Sequence, residues 1–442
     1  MRRLYNIVFT VFLLLSAPFY LWKMWRRGNW RAGFAQRFGH YSPRVKQAMT
    51  NRQTIWLHAV SVGEVNICTQ LCRVLEVRVP SLTIVVSTTT STGMGELERK
   101  LPSHIVKVYY PLDRRRWVSR ALGVLHPKAI VLVEAEIWPN FLWRARSQSI
   151  PVFLVNARLS ERSYRGYRRF KGLFRPLFNS LAGVGCQNEE DRQKVIELGC
   201  KAEAVRVVGN LKYDAAKLDE QRPVLVPALL QQLGVPAGAR LLVGGSTHRG
   251  EEAILADVFV RLRQRFPDLF LVVAPRHQER GKDAGKDISA RGLTCAYRTE
   301  IVPSRQYQPG SVDCLLVNTT GELRCYYEHA AVVFVGKSLT AKGGQNPIEP
   351  AMMAKPIVFG PNMQNFQAIT ESLVSREGAL SVANAEELEQ AVARLLADES
   401  YAQKIGRNGQ QVVRENLGSI ERTVDMIIEY LSANDVFVAR ER

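Results

Sequence analysis

The sequence has little cysteine and no recognisable metal-binding pattern. Its seven cysteines are odd in number, scattered, and form no C-x-x-C pair: Cys68, Cys72, Cys186, Cys200, Cys295, Cys314 and Cys325. This spacing argues against a disulfide framework or a structural zinc site, and it is typical of reduced thiols in the cytosol. The chain also has no D-x-D motif, no His/Cys ligand cluster and no P-loop. We therefore expect no cofactor and a mechanism without a metal ion.

Acidic residues are also fewer than basic ones. The chain has 60 Lys and Arg against 41 Asp and Glu, a formal net charge of +19. Such an excess favours an anionic partner, which is a nucleic acid, an acidic membrane face or a phosphorylated substrate. With 442 residues, 46% hydrophobic and 23% charged, the chain is long enough for two or three globular domains.

The N-terminal segment has almost no charge of its own. Residues 4–22 are nearly all apolar and about long enough to span a bilayer. A cleaved signal peptide is the alternative, but no convincing small-x-small cleavage site appears, and the segment runs straight into basic and aromatic residues. We expect residues 1–25 to form a membrane anchor, spanning or interfacial, with the rest of the chain cytoplasmic. Its flanking basic and aromatic residues are Arg2, Arg3, Lys23, Arg26, Arg27, Arg31, Trp22, Trp25 and Trp30.

After the anchor, strand-like and helix-like segments alternate. In the first half we predict strands at residues 54–60, 82–88, 104–110, 129–133, 152–155 and 183–186, and helices at 64–77, 92–99, 117–125 and 189–198. In the second half we predict strands at 241–245, 269–274, 314–318, 332–336 and 357–360, and helices at 251–266, 351–354, 385–397, 401–416 and 419–432. This alternation predicts parallel sheets covered by helices on both faces.

Prolines and glycines mark a boundary near the middle of the chain. They cluster in residues 221–239, between the two alternating halves. The predicted α/β architecture is two doubly wound, Rossmann-like domains facing a cleft, which is called GT-B, and ligands should bind at the carboxyl ends of the strands. The predicted segments are an anchor at 1–25, a first domain at 26–220, a linker at 221–240, a second domain at 241–418 and a helix at 419–442 that packs back on the first domain.

The most informative loop has the sequence GGQNPIEP, residues 343–350. Its paired glycines let the backbone approach a ligand without a Cβ clash. Asn346 and Pro347 suit the start of a helix, where a phosphate binds readily. Glu349 then lies in the first turn, where its carboxylate can accept hydrogen bonds from ribose hydroxyls. An ordinary strand–turn–helix with a glycine turn is the alternative.

Three other loops of the second half follow predicted strands and carry ligand-type residues. Ser246 and Thr247 follow glycines and precede a helix, which suits a phosphate. Arg276 suits a phosphate or a base, and residues 321–323 form a third turn. Four such loops on one edge of one sheet are hard to ascribe to turns alone. The candidate donor-binding residues are Ser246, Thr247, Pro275, Arg276, His277, Gly321, Glu322, Leu323, Gly343, Gly344, Asn346, Pro347, Ile348 and Glu349.

Carboxylates follow two predicted strands of the first half, and a lysine closes the first domain. Glu64 opens the first helix and can act as a general base if burial tunes its pKa; stabilising the helix dipole is the alternative. Glu134 and Glu136 follow a buried strand and should point to opposite sides, unless they only cap a loop. Lys212 could offset the charge of a leaving phosphate, although a surface lysine near a linker explains it equally well.

A basic stretch with interleaved aromatics covers residues 158–178. A solvated helix face and a nucleic-acid interface are two alternatives. Because an anchor is predicted, a membrane-facing patch that holds lipid phosphates fits better, and we expect no nucleic-acid partner. The relevant arginines are Arg158, Arg162, Arg165, Arg168 and Arg169, and the aromatics are Tyr164, Tyr167, Phe170, Phe174 and Phe178.

Taken together, these motifs resemble the 3-deoxy-D-manno-octulosonic acid (Kdo) transferases of lipopolysaccharide synthesis. The matching pieces run in order along nearly the whole chain: HAVSVGE at 58–64, TTTSTG at 88–93, EAEIWPN at 134–140, NARLS at 156–160, GNLK at 209–212, PRH at 275–277, GEL at 321–323, GGQNPIEP at 343–350, and GP with NF at 360–366. The sequence departs from the family pattern at three positions, where the family usually has Asp at Asn318, Gly at Lys337 and His at Gln345.

The resemblance implies an inverting GT-B enzyme of the inner membrane that moves Kdo from CMP-Kdo to a lipid A precursor, lipid IVA, at the cytoplasmic face. Its first domain would bind the acceptor and its second the nucleotide sugar. Glu64 would be the general base, and one carboxylate of the Glu134/Glu136 pair would act with Lys212 to stabilise the transition state. CMP would be held by Arg276, by the turn at 321–323 and by residues 346–349.

Two other classes of protein explain part of the pattern. Another membrane-associated GT-B transferase with a different nucleotide sugar shares the fold and the loop at 346–349, but it need not share the motifs at 61–64 and 134–140. A non-catalytic membrane or nucleic-acid binding protein explains the charge and the anchor but not the four loops. Release of CMP identifies the donor, and salt-sensitive duplex binding without turnover identifies a binding protein.

Overall fold

The chain folds into two compact units. The computed structural model describes residues 1–26, 33–134, 136–215, 224–302 and 304–433. Unit 1 is formed by Met1–Ala215 with Leu417–Arg442, and unit 2 by Ala216–Asn416. Several predicted features lie outside the described residues: Arg27, Trp30 and Arg31 after the anchor, the first part of the linker at 221–223, and the end of the last segment at 434–442.

Unit 1 contains a seven-stranded parallel sheet in the order β3-β2-β1-β4-β5-β6-β7. Its strands are β1 (Thr54–His58), β2 (Thr83–Thr88), β3 (Val106–Tyr109), β4 (Pro127–Val133), β5 (Val152–Ala157), β6 (Gly183–Cys186) and β7 (Val205–Val207). The sequence did not predict β7, because its three residues lie at an edge and only Val205 is buried. An edge strand of this length has no apolar run to reveal it.

Helices cover both faces of this sheet. They are α1 (Arg2–Arg26), α2 (Pro43–Met49), α3 (Val62–Arg78), α4 (Ser91–Lys100), α5 (Arg115–Leu125), α6 (Pro139–Ser147), α7 (Glu161–Arg169), α8 (Lys171–Phe178), α9 (Glu189–Glu197) and α10 (Lys212–Ala215). Successive residues of β1 alternate between two cores: Trp56 packs in one, and Ile55 and Leu57 pack in the other. A strand buried on both faces reads as a continuous apolar run, which is why the sequence predicts it well.

Unit 2 contains a second seven-stranded parallel sheet, in the order β10-β11-β9-β8-β12-β13-β14. Its strands are β8 (Arg240–Thr247), β9 (Leu269–Pro275), β10 (Cys295–Tyr297), β11 (Cys314–Leu316), β12 (Ala330–Val335), β13 (Ile357–Phe359) and β14 (Leu380–Ser381). Its helices are α11 (Val226–Gln232), α12 (Glu251–Arg263), α13 (Gly281–Ser289), α14 (Leu323–Glu328), α15 (Ile348–Met352), α16 (Gln367–Ser375), α17 (Ala385–Ala397) and α18 (Glu399–Glu415).

Each sheet reverses its winding direction once, beside its first strand. In unit 1 the chain steps outward from β1 to β3 and then returns to place β4 on the other side of β1. In unit 2 the chain steps outward from β8 to β9 and β10, inserts β11 between those two on its way back, and then places β12 on the other side of β8. Loops on the two sides of such a reversal run to opposite faces of the sheet, so that a crevice opens at the carboxyl ends of the strands. The loops after β1, β4, β8 and β12 are therefore the places to look for a site.

The N-terminal helix α1 is apolar outside its first turns. Its segment Arg2–Trp22 is long and apolar enough to cross a membrane, by length and composition. Near its start, the Tyr5 hydroxyl donates to Asp113 at 2.7 Å, and the Asn6 and Asn140 side chains hydrogen-bond to each other. Tyr5 also packs edge-on against Trp143. The first turns of α1 therefore contact the body of unit 1 close to α6.

The last helix, α19 (Ser419–Ala433), belongs to unit 1 although it follows unit 2 in the chain. It packs against α3, and its residues Ile420, Val424 and Ile427 share a core with Ile55 and Leu57 of β1. The buried Asp214 carboxylate accepts hydrogen bonds from the N–H groups of Gly418 at 2.9 Å and Ile420 at 3.0 Å. This carboxylate supplies the N-terminal cap of α19 from a distant part of the sequence.

We expect Asp214→Ala to lower the stability of unit 1 by about 2 kcal/mol, because two buried N–H groups lose a charged acceptor. The matched control is Asp425→Ala on α19, which removes only an exposed ion pair with Arg78 and should cost less than about 1 kcal/mol. Thermal unfolding combined with hydrogen exchange of the α19 amides measures both. Equal losses in the two variants would contradict the capping role.

Candidate active site

Glu64 lies in the first turn of α3, directly after β1. Its side chain forms a capping box with Ser61, whose hydroxyl accepts from the Glu64 N–H at 3.3 Å. The Glu64 carboxylate accepts from the N–H groups of Val60 at 2.8 Å and Ser61 at 3.3 Å. The residue is only 6% exposed. The capping that sequence analysis treated as the alternative is therefore present, and it also fixes where the carboxylate stands.

Burial raises the pKa of Glu64 to about 7, and the charges of Glu134 and Glu136 act in the same direction. The hydrogen bonds from the Val60 N–H and from Ser61 oppose this rise but do not cancel it. A carboxylate with a pKa near neutrality can take a proton from a hydroxyl and later release it to water. Neighbouring His58 is fully buried, and burial lowers its pKa to about 3, so its ring stays neutral.

Glu134 and Glu136 follow β4, on the other side of the reversal from Glu64. Glu134 has a left-handed backbone, with φ 63°, and its N–H donates to the Val155 carbonyl at 2.9 Å. Glu136 accepts from the indole N–H of Trp138 at 2.6 Å, and burial raises its pKa. Because both acids contribute to the raised pKa of Glu64, the three carboxylates act on one another electrostatically.

Lys212 joins this group from the far edge of the sheet. Its ammonium lies 3.2 Å from a carboxylate oxygen of Glu134. Asn156, at the end of β5 with φ 54°, accepts from the Leu211 N–H at 3.1 Å. Asn210 accepts from the Lys212 N–H at 3.0 Å. These bonds hold the loop at 209–212 across the end of the sheet, so all four catalytic candidates of unit 1 come together.

Asp113 is a buried residue of this region that sequence analysis missed. Its carboxylate accepts from the N–H groups of Asn140 at 3.0 Å and Phe141 at 2.8 Å, which begin α6, and from the Tyr5 hydroxyl. Burial raises its pKa to about 6. It therefore caps α6 and anchors the end of the loop that carries Glu134 and Glu136. No local pattern reveals it, because Asp113 and Asn140 are 27 residues apart.

In unit 2 the loops after β8 and β9 are tied together. Ser246 has a left-handed backbone with φ 53° and is half-buried. Thr247 is fully buried, and its hydroxyl donates to Glu252 at 2.9 Å, while its carbonyl accepts from the Arg276 N–H at 3.0 Å. The side chains of Arg276 and His277 are exposed. These two side chains and Ser246 are thus the members of the predicted set here that a ligand can reach.

Two buried glutamates at the start of α12 organise these loops, and sequence analysis missed both. Glu251 accepts from the backbone N–H groups of His248 at 2.8 Å, Lys337 at 2.6 Å, Ser338 at 2.8 Å and Leu339 at 3.0 Å. Glu252 accepts from Thr247 and from the Arg280 guanidinium at 3.0 Å. In the sequence they resemble helix-dipole residues of a first turn, which gives no hint of the backbone that Glu251 binds or of the side chains that Glu252 binds.

The turn at 321–323 follows β11. Gly321 has φ 85°, a conformation that suits glycine. Glu322 is buried and accepts from the Arg298 guanidinium at 2.9 Å, and Leu323 begins α14. The Glu322 carboxylate is therefore already neutralised within unit 2.

The loop at 343–350 is built on its two glycines, with φ 119° at Gly343 and 69° at Gly344. The Gly344 N–H donates to the Lys337 carbonyl at 3.0 Å, which joins this loop to the one after β12. Asn346 accepts from the Ile348 N–H at 3.0 Å and donates to Glu349 at 3.1 Å. Pro347 precedes α15, and Ile348 is buried.

The helix predicted here at 351–354 begins three residues earlier than expected, as α15. The Asn346 side chain, just before the helix, accepts a hydrogen bond from the Ile348 N–H and so caps the first turn. Glu349 lies in that first turn, as the sequence predicted.

The basic stretch after β5 forms α7 and α8. Its arginines lie on the surface, whereas most of its aromatic side chains pack inward. Arg162, Arg165, Arg168 and Arg169 are exposed, and Arg158 is half-buried. The expectation that the aromatics share this surface is wrong for all but Phe170, which is 56% exposed. Tyr164, Tyr167, Phe174 and Phe178 instead pack into or against the core beneath the helices, because the apolar face of an amphipathic helix turns inward.

Metal-ligating side chains are dispersed in the part of the chain that the structure describes. There, no three His, Cys, Asp or Glu residues are grouped in a way that could hold a metal ion.

Comparisons with known proteins identify the family of this chain. The family model described as 3-deoxy-D-manno-octulosonic-acid transferase (kdotransferase) matches residues 32–215. The chain is 31% identical over 409 residues to the 3-deoxy-D-manno-octulosonic acid transferase of Haemophilus influenzae, which covers 92% of this chain and 93% of that protein. It is 31% identical over 439 residues to the same-named protein of Bordetella pertussis, covering 96% and 99%.

The fold is similar to that of solved sugar-nucleotide enzymes. The structure of UDP-GlcNAc 2-epimerase from Neisseria meningitidis bound to UDP-GlcNAc matches with a TM-score of 0.56 and 13% identity, covering 85% of this chain and 100% of that one. This likeness shows the fold alone, and it confirms the α/β, GT-B-like class expected from the sequence. Because relatives of 31% identity match nearly end to end, the chain belongs to the 3-deoxy-D-manno-octulosonic acid (Kdo) transferase family and is a glycosyltransferase.

Proposed function

We propose that this chain transfers Kdo from CMP-Kdo to a hydroxyl group of a lipid A precursor, lipid IVA, with inversion at the anomeric carbon. One observation carries the proposal beyond family membership. At the reversal of the unit 1 sheet, a buried glutamate with a pKa near 7 stands in the electrostatic field of two further carboxylates, one of which is paired with a lysine. Such a group suits a reaction that removes a proton from an alcohol at neutral pH.

In the proposed step, the acceptor hydroxyl oxygen forms a bond to the anomeric carbon of Kdo. The bond from that carbon to the phosphate oxygen breaks, and CMP leaves with the electron pair. The hydroxyl proton passes to the Glu64 carboxylate. Because the acceptor displaces CMP directly, with no covalent intermediate, the configuration at the anomeric carbon inverts.

Glu134 and Lys212 are proposed to stabilise the charges that develop in this step. Positive charge builds on the sugar ring as the leaving group departs, and negative charge builds on the phosphate. The two side chains form one ion pair of 3.2 Å, which supplies both signs of charge at a fixed place. Glu136, held by the Trp138 indole, adds a second negative charge nearby.

Unit 2 is proposed to hold the CMP-Kdo donor, with no further cofactor. The loops after β8, β9, β11 and β12 lie at the carboxyl ends of one parallel sheet, where nucleotides bind in doubly wound folds. Exposed Arg276 and half-buried Ser246 offer a cation and a hydroxyl to the nucleotide, and the paired glycines of the loop at 343–350 leave room for a close approach. These contacts are of the kind that a phosphate and a ribose require.

The acceptor is a phosphorylated lipid, and two features of unit 1 suit its membrane. Helix α1 is proposed to anchor the chain in the inner membrane, with unit 1 on the cytoplasmic side. The exposed arginines of α7 are proposed to face anionic lipid phosphates, since Arg162, Arg165, Arg168 and Arg169 point outward.

We expect Glu64→Gln to reduce turnover by roughly 100- to 10,000-fold, because the amide cannot accept the proton. The amide keeps a carbonyl oxygen for the Val60 N–H, so α3 should keep its cap. Turnover is read from the mass of the product formed from CMP-Kdo and tetra-acylated lipid A precursor. CMP binding, measured separately by calorimetry, should be unchanged because the proposed nucleotide loops belong to unit 2.

The matched control for this experiment is Glu76→Gln, which changes another glutamate of the same helix that only pairs with His104. Its turnover should match that of the native protein. Full activity in Glu64→Gln would place the base elsewhere. A native protein that binds CMP but transfers no Kdo would refute the proposed function itself.

The pH dependence of kcat/KM tests the electrostatic environment of Glu64. Below its pKa Glu64 holds a proton and cannot act as a base, so kcat/KM should rise with pH through a midpoint near 7. Glu134→Gln removes a negative charge that raises this pKa, so its midpoint should lie at lower pH. Glu189→Gln, on the exposed side of α9, serves as the control and should leave the midpoint in place. If the midpoint of kcat/KM in Glu134→Gln equals that of the native protein, the group that titrates is not Glu64.

The proposed anchor predicts that charge on α1 releases the protein from membranes. Leu14 and Leu15 are 68% and 78% exposed, and we expect the double substitution to Arg to prevent co-flotation with anionic vesicles. Turnover on detergent-dispersed acceptor should remain. The control is Val77→Arg on α3, which is 79% exposed outside the anchor. Unchanged flotation of the double variant would exclude α1 as the anchor.

A further inference from the structure

Lys337 occupies a place in unit 2 that no role above explains. It lies two residues after the end of β12, beside β8, at the point where the sheet of unit 2 reverses. Its backbone is left-handed, with φ 56°, which costs a residue with a Cβ roughly 1–2 kcal/mol and which glycine adopts freely. A lysine at such a position indicates that its side chain contributes something that compensates for the strain.

The backbone around Lys337 is held rigidly. The buried Glu251 carboxylate accepts from the N–H groups of Lys337, Ser338 and Leu339 in succession. The Lys337 carbonyl accepts from the Gly344 N–H at 3.0 Å. The direction in which the lysine side chain leaves the backbone is therefore set by unit 2 and does not depend on a ligand.

The Lys337 ammonium and the Asn365 amide lie together beside Gly343. A Cβ atom built on Gly343 would lie 3.5 Å from the Lys337 ammonium and 2.9 Å from the Asn365 amide nitrogen, so these two side chains occupy the space that a side chain at position 343 would need. Two nitrogen donors thus converge beside the loop, and glycine is what leaves room for them. The Lys337 side chain is only half-buried, and among the described residues its ammonium forms no ion pair with a carboxylate.

The same topological place in unit 1 carries a charged residue with the same backbone conformation. Glu134 follows β4 beside β1, with φ 63°, and there it forms part of the catalytic group. In unit 2 the corresponding residue is a cation. A strained, rigidly held cation at the crevice of a doubly wound sheet is suited to bind an anionic ligand.

We propose that Lys337, together with the Asn365 amide, binds an anionic oxygen of the sugar-nucleotide donor beside Gly343. This inference rests on the proposed function, in which unit 2 holds CMP-Kdo. That donor has two anionic groups, the phosphate and the carboxylate of the sugar acid, and both offer the oxygen chemistry that an ammonium and an amide recognise. Lys337 is then a further donor-binding residue, present in this chain at a position where the family usually has glycine.

The test uses Lys337→Gly in the full-length protein, because glycine accepts the left-handed backbone and the variant should fold. Its melting temperature should equal or exceed that of the native protein, whereas a lysine with a merely structural role would lower it on removal. Calorimetry with CMP and with cytidine, and the KM for CMP-Kdo, measure the effect on the donor. Loss of one charge-assisted contact should weaken binding by roughly 10- to 100-fold.

The two sources of the anion give different results. If Lys337 binds the phosphate, CMP affinity falls in Lys337→Gly and cytidine affinity does not. If it binds the sugar carboxylate, affinities for CMP and cytidine both stay the same and the KM for CMP-Kdo rises. Lys337→Arg keeps the charge and should retain most of the binding in either case.

The matched control is Lys342→Gly, which removes an exposed lysine from the neighbouring segment and should change none of these quantities. The inference is overturned if Lys337→Gly binds CMP and uses CMP-Kdo like the native protein, or if Lys342→Gly is equally impaired. Neither result touches the proposed function, which instead fails if the native protein transfers no Kdo, whether or not it binds CMP.

Discussion

In a doubly wound parallel sheet, consecutive connections run over one face until the winding reverses, and the reversal leaves a crevice that no connection covers. Both sheets of this protein reverse beside their first strand, between β1 and β4 in unit 1 and between β8 and β12 in unit 2. Glu64 and Glu134 stand at the first reversal, and Ser246 and Lys337 stand at the second. The chemistry proposed for this chain depends on these two places, because only there can side chains from separate loops meet in front of a ligand.

Left-handed backbone recurs at strand ends that carry candidate site residues. Glu134, Asn156, Ser246 and Lys337 all have left-handed conformations, with φ of 63°, 54°, 53° and 56°. Residues with a Cβ occupy this region at a cost, and they persist there only when the surroundings hold them. The surroundings here are specific hydrogen bonds, such as those from the Lys337 segment to Glu251 and from Leu211 to Asn156. The loops are thereby rigid, so that the functional groups need little rearrangement when a substrate binds.

Buried carboxylates serve opposite purposes in the two units. The Glu251 carboxylate accepts hydrogen bonds from four peptide N–H groups, so its role is structural. Glu64 accepts two, and burial still raises its pKa to about 7. Both residues open a helix after the first strand of their sheet, and the sequence distinguishes them only through the resemblance. What separates a structural glutamate from a candidate base is the number of donors that the tertiary structure brings to it.

The sequence by itself determined the α/β alternation, because strands buried on both faces read as apolar runs. It pointed to Glu64, Glu134 and Glu136 because the ends of their strands are visible in those runs, and to Lys212 through the GNLK motif, since β7 before it was not predicted. Only the tertiary structure decided that Lys212 reaches Glu134 from the edge of the sheet, and that Asp113 and Glu251 support loops far away in the chain. It also turned the aromatics of α7 and α8 inward, away from the arginines. The physical reason is common to these cases. Local patterns in the sequence record which side of a helix or strand is buried. Hydrogen bonds and ion pairs instead depend on the distant groups that the folded chain brings within about 3 Å of each other.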